Sequence, residues 1–230
     1  MLNQPQEPMR KKLTAFAVPS LFAGVIALSG GLVGLAASGA GTPPRADSLA
    51  TPDSTAIPTA SLRIPPIEEI LRNPRRLAPL PPDLIDTETL WLARCIFSES
   101  KRPEEQELIA WVVRNRVETQ YRGRQTYRDV VLDPYQFSAF RPGYYKRDFY
   151  MSLTPESNVP GWQRALWIAH YVRHAPDSLR PFSLHTRHFY SERSLGDLPH
   201  PNWALGREPI RPNRRYEIDE RRFRFFEGVS

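Results

Sequence analysis

Asp86-Thr87-Glu88-Thr89-Leu90-Trp91-Leu92-Ala93-Arg94-Cys95-Ile96-Phe97-Ser98-Glu99 begins with a residue suited to cap a helix and ends in a carboxylic acid. Leu90, Ala93, Cys95, Ile96 and Phe97 supply an apolar face, so a helix is expected over residues 87–98 with Asp86 as its N-cap. Past the Ser100-Lys101-Arg102 turn, Pro103 fits a first helical position, and Glu104 and Glu105 fall in a first turn, where the helix dipole favours negative charge. Leu108, Ile109, Val112, Val113 and Val117 then form a wide apolar stripe, which predicts a second helix. A short third helix is expected at Tyr127–Leu132. A fourth should run over Gly161–His174, with Trp162, Ala165, Leu166, Ala169 and Val172 on one face and Pro176 as its stop. Only Phe182–Tyr190 and Arg222–Phe226 have the aromatic content expected of strands. The class that follows is mainly α, an α+β domain with a small β element, over residues 83–230.

Upstream the character of the chain changes. Met9-Arg10-Lys11-Lys12 is basic, Leu13 to Leu35 carries no charge, and the small residues Ser38 and Ala40 follow. Residues 1–40 therefore read as a signal peptide or as an N-terminal membrane anchor, since the run is long enough for a bilayer core of about 30 Å. Either outcome places the rest of the chain in the cell envelope, periplasmic or extracellular. Residues 41–82 are rich in Pro, Ala, Ser and Thr and read as a disordered linker, with one helical turn expected near Ile64–Arg72. About 150 residues remain beyond it, enough for one core without disulfides or metal.

The net charge of +6 and pI near 9.7 favour contact with polyanions. Basic and acidic residues alternate, as in Asp219-Glu220-Arg221-Arg222, and no helix-turn-helix, RNA-recognition or zinc-finger pattern accompanies them. Nucleic acid is not the expected partner. The one cysteine, Cys95, sits among Leu92, Ile96 and Phe97 and reads as a small buried apolar residue. His170 and His174 lie four apart, and His185 and His188 follow, but no His-Glu-x-x-His pattern occurs. Neither a metal nor a cofactor is expected.

Glu99 stands where an apolar helix runs out, so its backbone is held while its carboxyl is free to project. Such a carboxyl, shielded from water, keeps its proton near neutral pH and suits a general acid. A solvated helix-end glutamate is the ordinary alternative.

Leu92 to Glu99 resembles the catalytic-glutamate helix of the SleB-type spore-cortex-lytic and cell wall hydrolase family. Four further blocks are similar to that family in the same order. They are Ile109-Ala110-Trp111-Val112-Val113-Arg114-Asn115-Arg116-Val117, then Asp133 to Phe140 with its Gln136-Phe137-Ser138 core, then His188-Phe189-Tyr190 with Pro201-Asn202-Trp203-Ala204, and last Arg222 to Val229. The resemblance spans residues 86–229 and implies a lysozyme-like fold. It implies an enzyme that cleaves peptidoglycan glycan strands as a lytic transglycosylase or muramidase, with Glu99 as catalytic acid. One departure stands out: the family's Gly-Glu pair and longer loop after the glutamate are replaced by Ser100-Lys101-Arg102-Pro103.

Gln136 and Ser138 are the expected hydrogen-bonding contacts to sugar or acetamido groups, and Tyr190 is expected to reach Glu99 or the sugar from the opposite wall. Their alternative is structural, with Phe137, Phe140 and Trp203 as core and Gln136 serving its own loop. Tyr144-Tyr145 and Phe149-Tyr150 line either a groove or a packed loop. A second acid, wanted by a hydrolase, has the candidates Glu104, Glu105, Asp129, Asp133, Asp148 and Glu156, none with an evident pairing to Glu99. Two other functions remain open: a wall-binding module without activity, and a zinc-dependent N-acetylmuramoyl-L-alanine amidase. The chain is expected to act as a monomer.

Overall fold

The computed structural model describes residues 64–72, 77–197 and 199–229. The expected signal or anchor segment, residues 1–40, and the linker as far as residue 63 lie outside the described residues. Among the described residues no helix is long and apolar enough to cross a membrane.

Packing begins earlier than the expected boundary at residue 83. Helix α1 (Ile67–Arg72) buries Ile67, Ile70 and Leu71, and Leu80 is 2% exposed. The indole of Trp167 donates to the Ala78 carbonyl at 2.8 Å. Proline-rich composition hid this, because three apolar residues spaced along one short helix are enough to dock it on a preformed face.

The centre is helical, as the periodicity requires. Helix α2 (Thr87–Glu99) is capped by Asp86, whose Oδ1 accepts the Thr89 amide at 2.7 Å. Helix α3 (Pro103–Glu118) opens on Pro103. Helix α4 (Tyr127–Val131) is capped by the Thr126 side chain, and α5 (Arg147–Ser152) follows. Helix α6 (Trp162–His174) packs on α1, α2 and α3, while α2 also packs on α3 and α4. Strand β1 (Thr186–Tyr190), a four-residue helix α7 (Glu192–Leu195) and strand β2 (Arg224–Glu227) complete the domain. The strands pair antiparallel, His188 opposite Phe226 and Tyr190 opposite Arg224, and β1 lies against α3. The fold is thus mostly helical with a two-stranded sheet. Helices α5 and α7 were not expected, being too short to show a period.

Alternation gives the sheet two faces. Phe189 and Phe225 turn to the main core, joining Phe137, Phe182 and Phe223. His188, Tyr190 and Phe226 turn the other way and meet Trp203. The first strand starts later than the expected Phe182 because the Asn115 amide donates to the Ser183 carbonyl at 3.0 Å and to that of Thr186 at 2.8 Å. That loop is held by a side chain instead of a ladder.

Helix α3 is buried all round and not only along a stripe: Glu105, Gln106, Glu107, Asn115 and Arg116 are buried with its apolar residues. Glu107, wholly buried, accepts from the Trp111 indole at 3.0 Å, from both Arg214 nitrogens, Nε at 3.1 Å and Nη2 at 2.5 Å, and from the Tyr216 hydroxyl. Removing one side of a buried ion pair strands the other charge, whereas an exposed pair contributes little. Glu107→Ala is expected to cost roughly 3–5 kcal/mol in chemical denaturation. Glu220→Ala, which removes the partner of exposed Arg211, should cost less than about 1 kcal/mol.

Candidate active site

Four glutamates sit at the corner between α2 and α3: Glu104 is half-buried with no side-chain hydrogen bond among the described residues, and the surroundings of the other three separate them. Glu105 accepts from the Ser100 hydroxyl and from Arg222, Nε at 2.6 Å and Nη2 at 3.0 Å. Glu107 has the partners given above. Both are saturated acceptors inside the protein, so their role is structural. Glu99 differs. Its side chain is half-buried, no group of the described residues hydrogen-bonds its carboxyl, and its oxygens are not among the sealed unpaired atoms. Crowded by protein, it holds a proton more tightly than usual. Burial raises its pKa to about 7, and the only charge that opposes this is that of Arg116.

Arg116 is the residue that local patterning did not single out. It is 5% exposed, its Nε donates to the Arg187 carbonyl at 2.7 Å, and its Nη1 is buried without a partner. Burial lowers its pKa to about 10, against the fields of Cys95, Tyr121, Asp133 and Glu99. It remains a cation at neutral pH, placed to favour the Glu99 carboxylate once the proton has left. Cys95, one turn before Glu99 and fully buried, has its thiol pushed well up by burial and by Glu99, so it stays a neutral packing residue. Tyr150 flanks the acid from α5. Burial, then Tyr145 and Glu99, hold its phenol in the neutral form.

The other expected site residues are distributed unevenly. Gln136 is half-buried, its amide nitrogen in the backbone donates to the Asp133 carbonyl at 3.1 Å, and its side chain makes no hydrogen bond among the described residues. Ser138 is exposed at the start of a short 3-10 turn, Ser138–Phe140. Phe137 and Phe140 are core residues, as the structural alternative required. Phe137 packs 5.3 Å from the Arg116 guanidinium and Phe140 6.3 Å from Tyr150, so this segment does border the surroundings of Glu99. The adjoining Tyr135 is 87% exposed at φ 66°, a conformation that is costly for a bulky residue. It lines a cavity of about 550 Å³ with Asp133, Pro134, Phe140, Arg141 and Arg147. Glu99 is not among the residues lining it.

Tyr190 is placed elsewhere. It stacks on Phe226 with ring centroids 5.5 Å apart, beside Trp203 and His200, on the sheet face opposite Phe189. No contact joins it to Glu99 among the described residues. A one-residue change along a strand reverses the face, so proximity in sequence to His188-Phe189 did not decide it.

None of the candidate second acids meets Glu99. Asp133 is held by Arg122 at 2.7 Å and Arg124 at 2.8 Å, Glu105 is committed as described, and Asp148 is fully exposed beside Arg147. The histidines are likewise divided. His170 and His174 stack on α6 with centroids 4.3 Å apart, whereas His188 lies 3.0 Å from the Tyr121 hydroxyl and is pushed down to about 4 by burial and by Arg116, Arg187, Arg207 and Arg122. Among the described residues no three His, Cys, Asp or Glu side chains converge as a metal cluster.

The raised pKa of Glu99 has a signed consequence for stability. Below the ordinary carboxyl value of 4.5 both folded and unfolded chains hold the proton; between 4.5 and about 7 the unfolded chain releases it first, and folding is penalised in full above about 7. Glu99→Gln is therefore expected to raise the thermal midpoint at pH 8 and to leave it unchanged at pH 4, as read by circular dichroism. An equal shift at both pH values would mean the carboxyl is not desolvated. No protein-family model, curated protein or solved structure matches the chain.

Proposed function

We propose that the domain is a lysozyme-like enzyme that cleaves the glycan strands of peptidoglycan, with Glu99 as its single acid and base. The observation that carries this is the state of the Glu99 carboxyl at the α2–α3 corner: no group of the described residues hydrogen-bonds it, and burial raises its pKa to about 7. A glycosidic bond breaks when its oxygen takes a proton while positive charge builds at the anomeric carbon. Glu99 supplies that proton and becomes a carboxylate, which Arg116 helps to stabilise. The carboxylate then recovers a proton from the oxygen that attacks the anomeric carbon.

That oxygen belongs to water in a muramidase and to the C6 hydroxyl of the same muramoyl residue in a lytic transglycosylase. The second route is the one adopted here. It uses one carboxyl group for both proton transfers and an intramolecular nucleophile, and Glu99 has no acidic neighbour to activate water. Gln136 and Ser138, with side chains free of intramolecular bonds, are the proposed hydrogen-bonding contacts to the sugar. The resemblance of residues 86–229 to the SleB-type family supports the same reading. So does the basic patch and uncharged run at Met9–Leu35, which would bring the enzyme to the envelope where this polymer lies.

Purified peptidoglycan digested with the wild-type chain should release fragments with 1,6-anhydro ends, one water lighter than reducing ends by mass spectrometry. Glu99→Gln should slow release by roughly 10²–10⁴-fold. Free stem peptides over an intact glycan, or an undiminished Glu99→Gln, would overturn the reading.

A further inference from the structure

Asp133-Pro134-Tyr135-Gln136 is a turn closed by the Gln136 amide on the Asp133 carbonyl at 3.1 Å. Pro134 takes its second position and Tyr135 its third, at φ 66°, where a turn of this kind ordinarily carries glycine. Both ends are fixed inside the protein. The buried Asp133 accepts from Arg122 at 2.7 Å and from Arg124 at 2.8 Å, and Phe137 is buried beside Phe189. Between these anchors the Tyr135 ring is exposed, packs on no other aromatic ring and makes no side-chain hydrogen bond among the described residues. The fold therefore holds a bulky residue in a backbone conformation that costs stability, with no packing of the ring to offset it.

The exposed ring borders a cavity of about 550 Å³, within the range of about 300–1,000 Å³ that small-molecule sites occupy. Pro134, Phe137 and Phe140 give it an apolar wall, and Arg141 and Arg147 bring two cations to it. Arg147 is steadied through its Nε, which donates to the Phe140 carbonyl at 3.0 Å, and its Nη1 lies 3.9 Å from the fully exposed Asp148. Arg141 is exposed and makes no side-chain hydrogen bond or ion pair among the described residues. Asp133 is the one carboxylate in the lining, and Arg122 and Arg124 already hold it. The charge left at the cavity is positive, which suits an anionic occupant.

We propose that this cavity binds a sugar ring whose side branch carries a carboxylate, the apolar face of the ring lying on Tyr135 and the carboxylate meeting Arg141 and Arg147. A flat aromatic ring on a rigid turn suits the C–H face of a pyranose, and it loses little freedom when the sugar arrives. Guanidinium groups present paired donors that match a carboxylate. The proposal rests on the glycan-cleaving reading and adds a second point of contact on the strand. Gln136, proposed above as a sugar contact, closes the same turn. On a peptidoglycan strand the carboxylate is either the free lactyl group of a peptide-free muramoyl residue or an acid of the stem peptide, and the test separates the two.

The Glu99→Gln chain, expected to hold glycan without cleaving it, is titrated by calorimetry with three soluble probes: peptide-free glycan fragments, the same fragments with their carboxylates converted to methylamides, and fragments that keep their stem peptides. Tyr135→Gly and Arg141→Gln are each added to it. Tyr135→Gly should weaken the peptide-free fragments and their methylamides alike, roughly tenfold, because stacking does not read charge. Its thermal midpoint should stay level or rise, since glycine takes this backbone freely. Arg141→Gln should weaken the charged peptide-free fragments roughly fivefold to tenfold and leave the methylamides unchanged. An Arg141→Gln loss confined to fragments with stem peptides also upholds the site and assigns the carboxylate to the peptide. Undiminished binding or a lowered midpoint in Tyr135→Gly, or an Arg141→Gln loss that is absent or as large on the methylamides, would overturn it. Failure of the underlying reading looks different: the wild type then releases no glycan fragments, while binding that depends on Tyr135 and Arg141 remains.

Discussion

Ser100 is the joint of the molecule. It ends α2 in an extended conformation, its hydroxyl donates to Glu105 and accepts the Arg102 amide at 3.0 Å, and its carbonyl takes the Gln106 side chain at 2.7 Å. Because the residue is buried, each of these polar groups needs a partner inside the protein, and that need fixes the angle at which α3 leaves α2. Glu105 passes the constraint on to Arg222, 117 positions away, and so ties the corner to the turn that leads into β2. A glycine here would keep only the carbonyl bond and lose both that use the hydroxyl. Glu99, one residue earlier, is therefore carried on a backbone with little freedom.

The same corner shows how one fold gives similar side chains unlike work. Glu105 and Glu107 are deep but saturated, and their charge is balanced by Arg222 and by Arg214 with Tyr216 and Trp111. Glu99 is shallower and unsatisfied. A carboxyl in that condition costs stability whenever it is ionised, and the interaction that would remove the cost is contact with a ligand. Arg116 sets the size of the penalty, since a buried cation nearby keeps the pKa at about 7 and not higher. An acid wholly without that neighbour would be slow to give its proton up.

Rigidity and access meet along α5 and the segment before it. Phe97, Phe140 and Trp162 pack around the inner side, Phe97 lying 6.5 Å from Tyr150 and 5.4 Å from Trp162. The outer side leaves Tyr145 and Phe149 in water. The second aromatic cluster joins Tyr190, Ala204, Phe226 and Val229, with half-buried Trp203 packed against it.

Local chemistry was legible in the chain itself. The Asp86 cap, the apolar period of the two central helices, Pro103 at a first turn and the aromatic content of the strands all act within a few residues, and each element appears within three or four residues of its expected span. Cys95 as core and Glu99 at the end of its helix follow from the same short-range pattern. What α3 does with its polar residues could not be read that way. Asn115 finds Ser183, Glu107 finds Arg214 and Arg116 finds Arg187, across separations of 68 to 107 positions. Pairings of that range depend on how the helices cross and where the chain returns, and so does the packing of Tyr190 on Phe226 and Trp203. Sequence alone settled where the long helices run and that Glu99 ends one of them. Only the tertiary structure decided which buried charges are answered, because a charge is answered by whatever lies within a few ångströms and not by its neighbours along the chain.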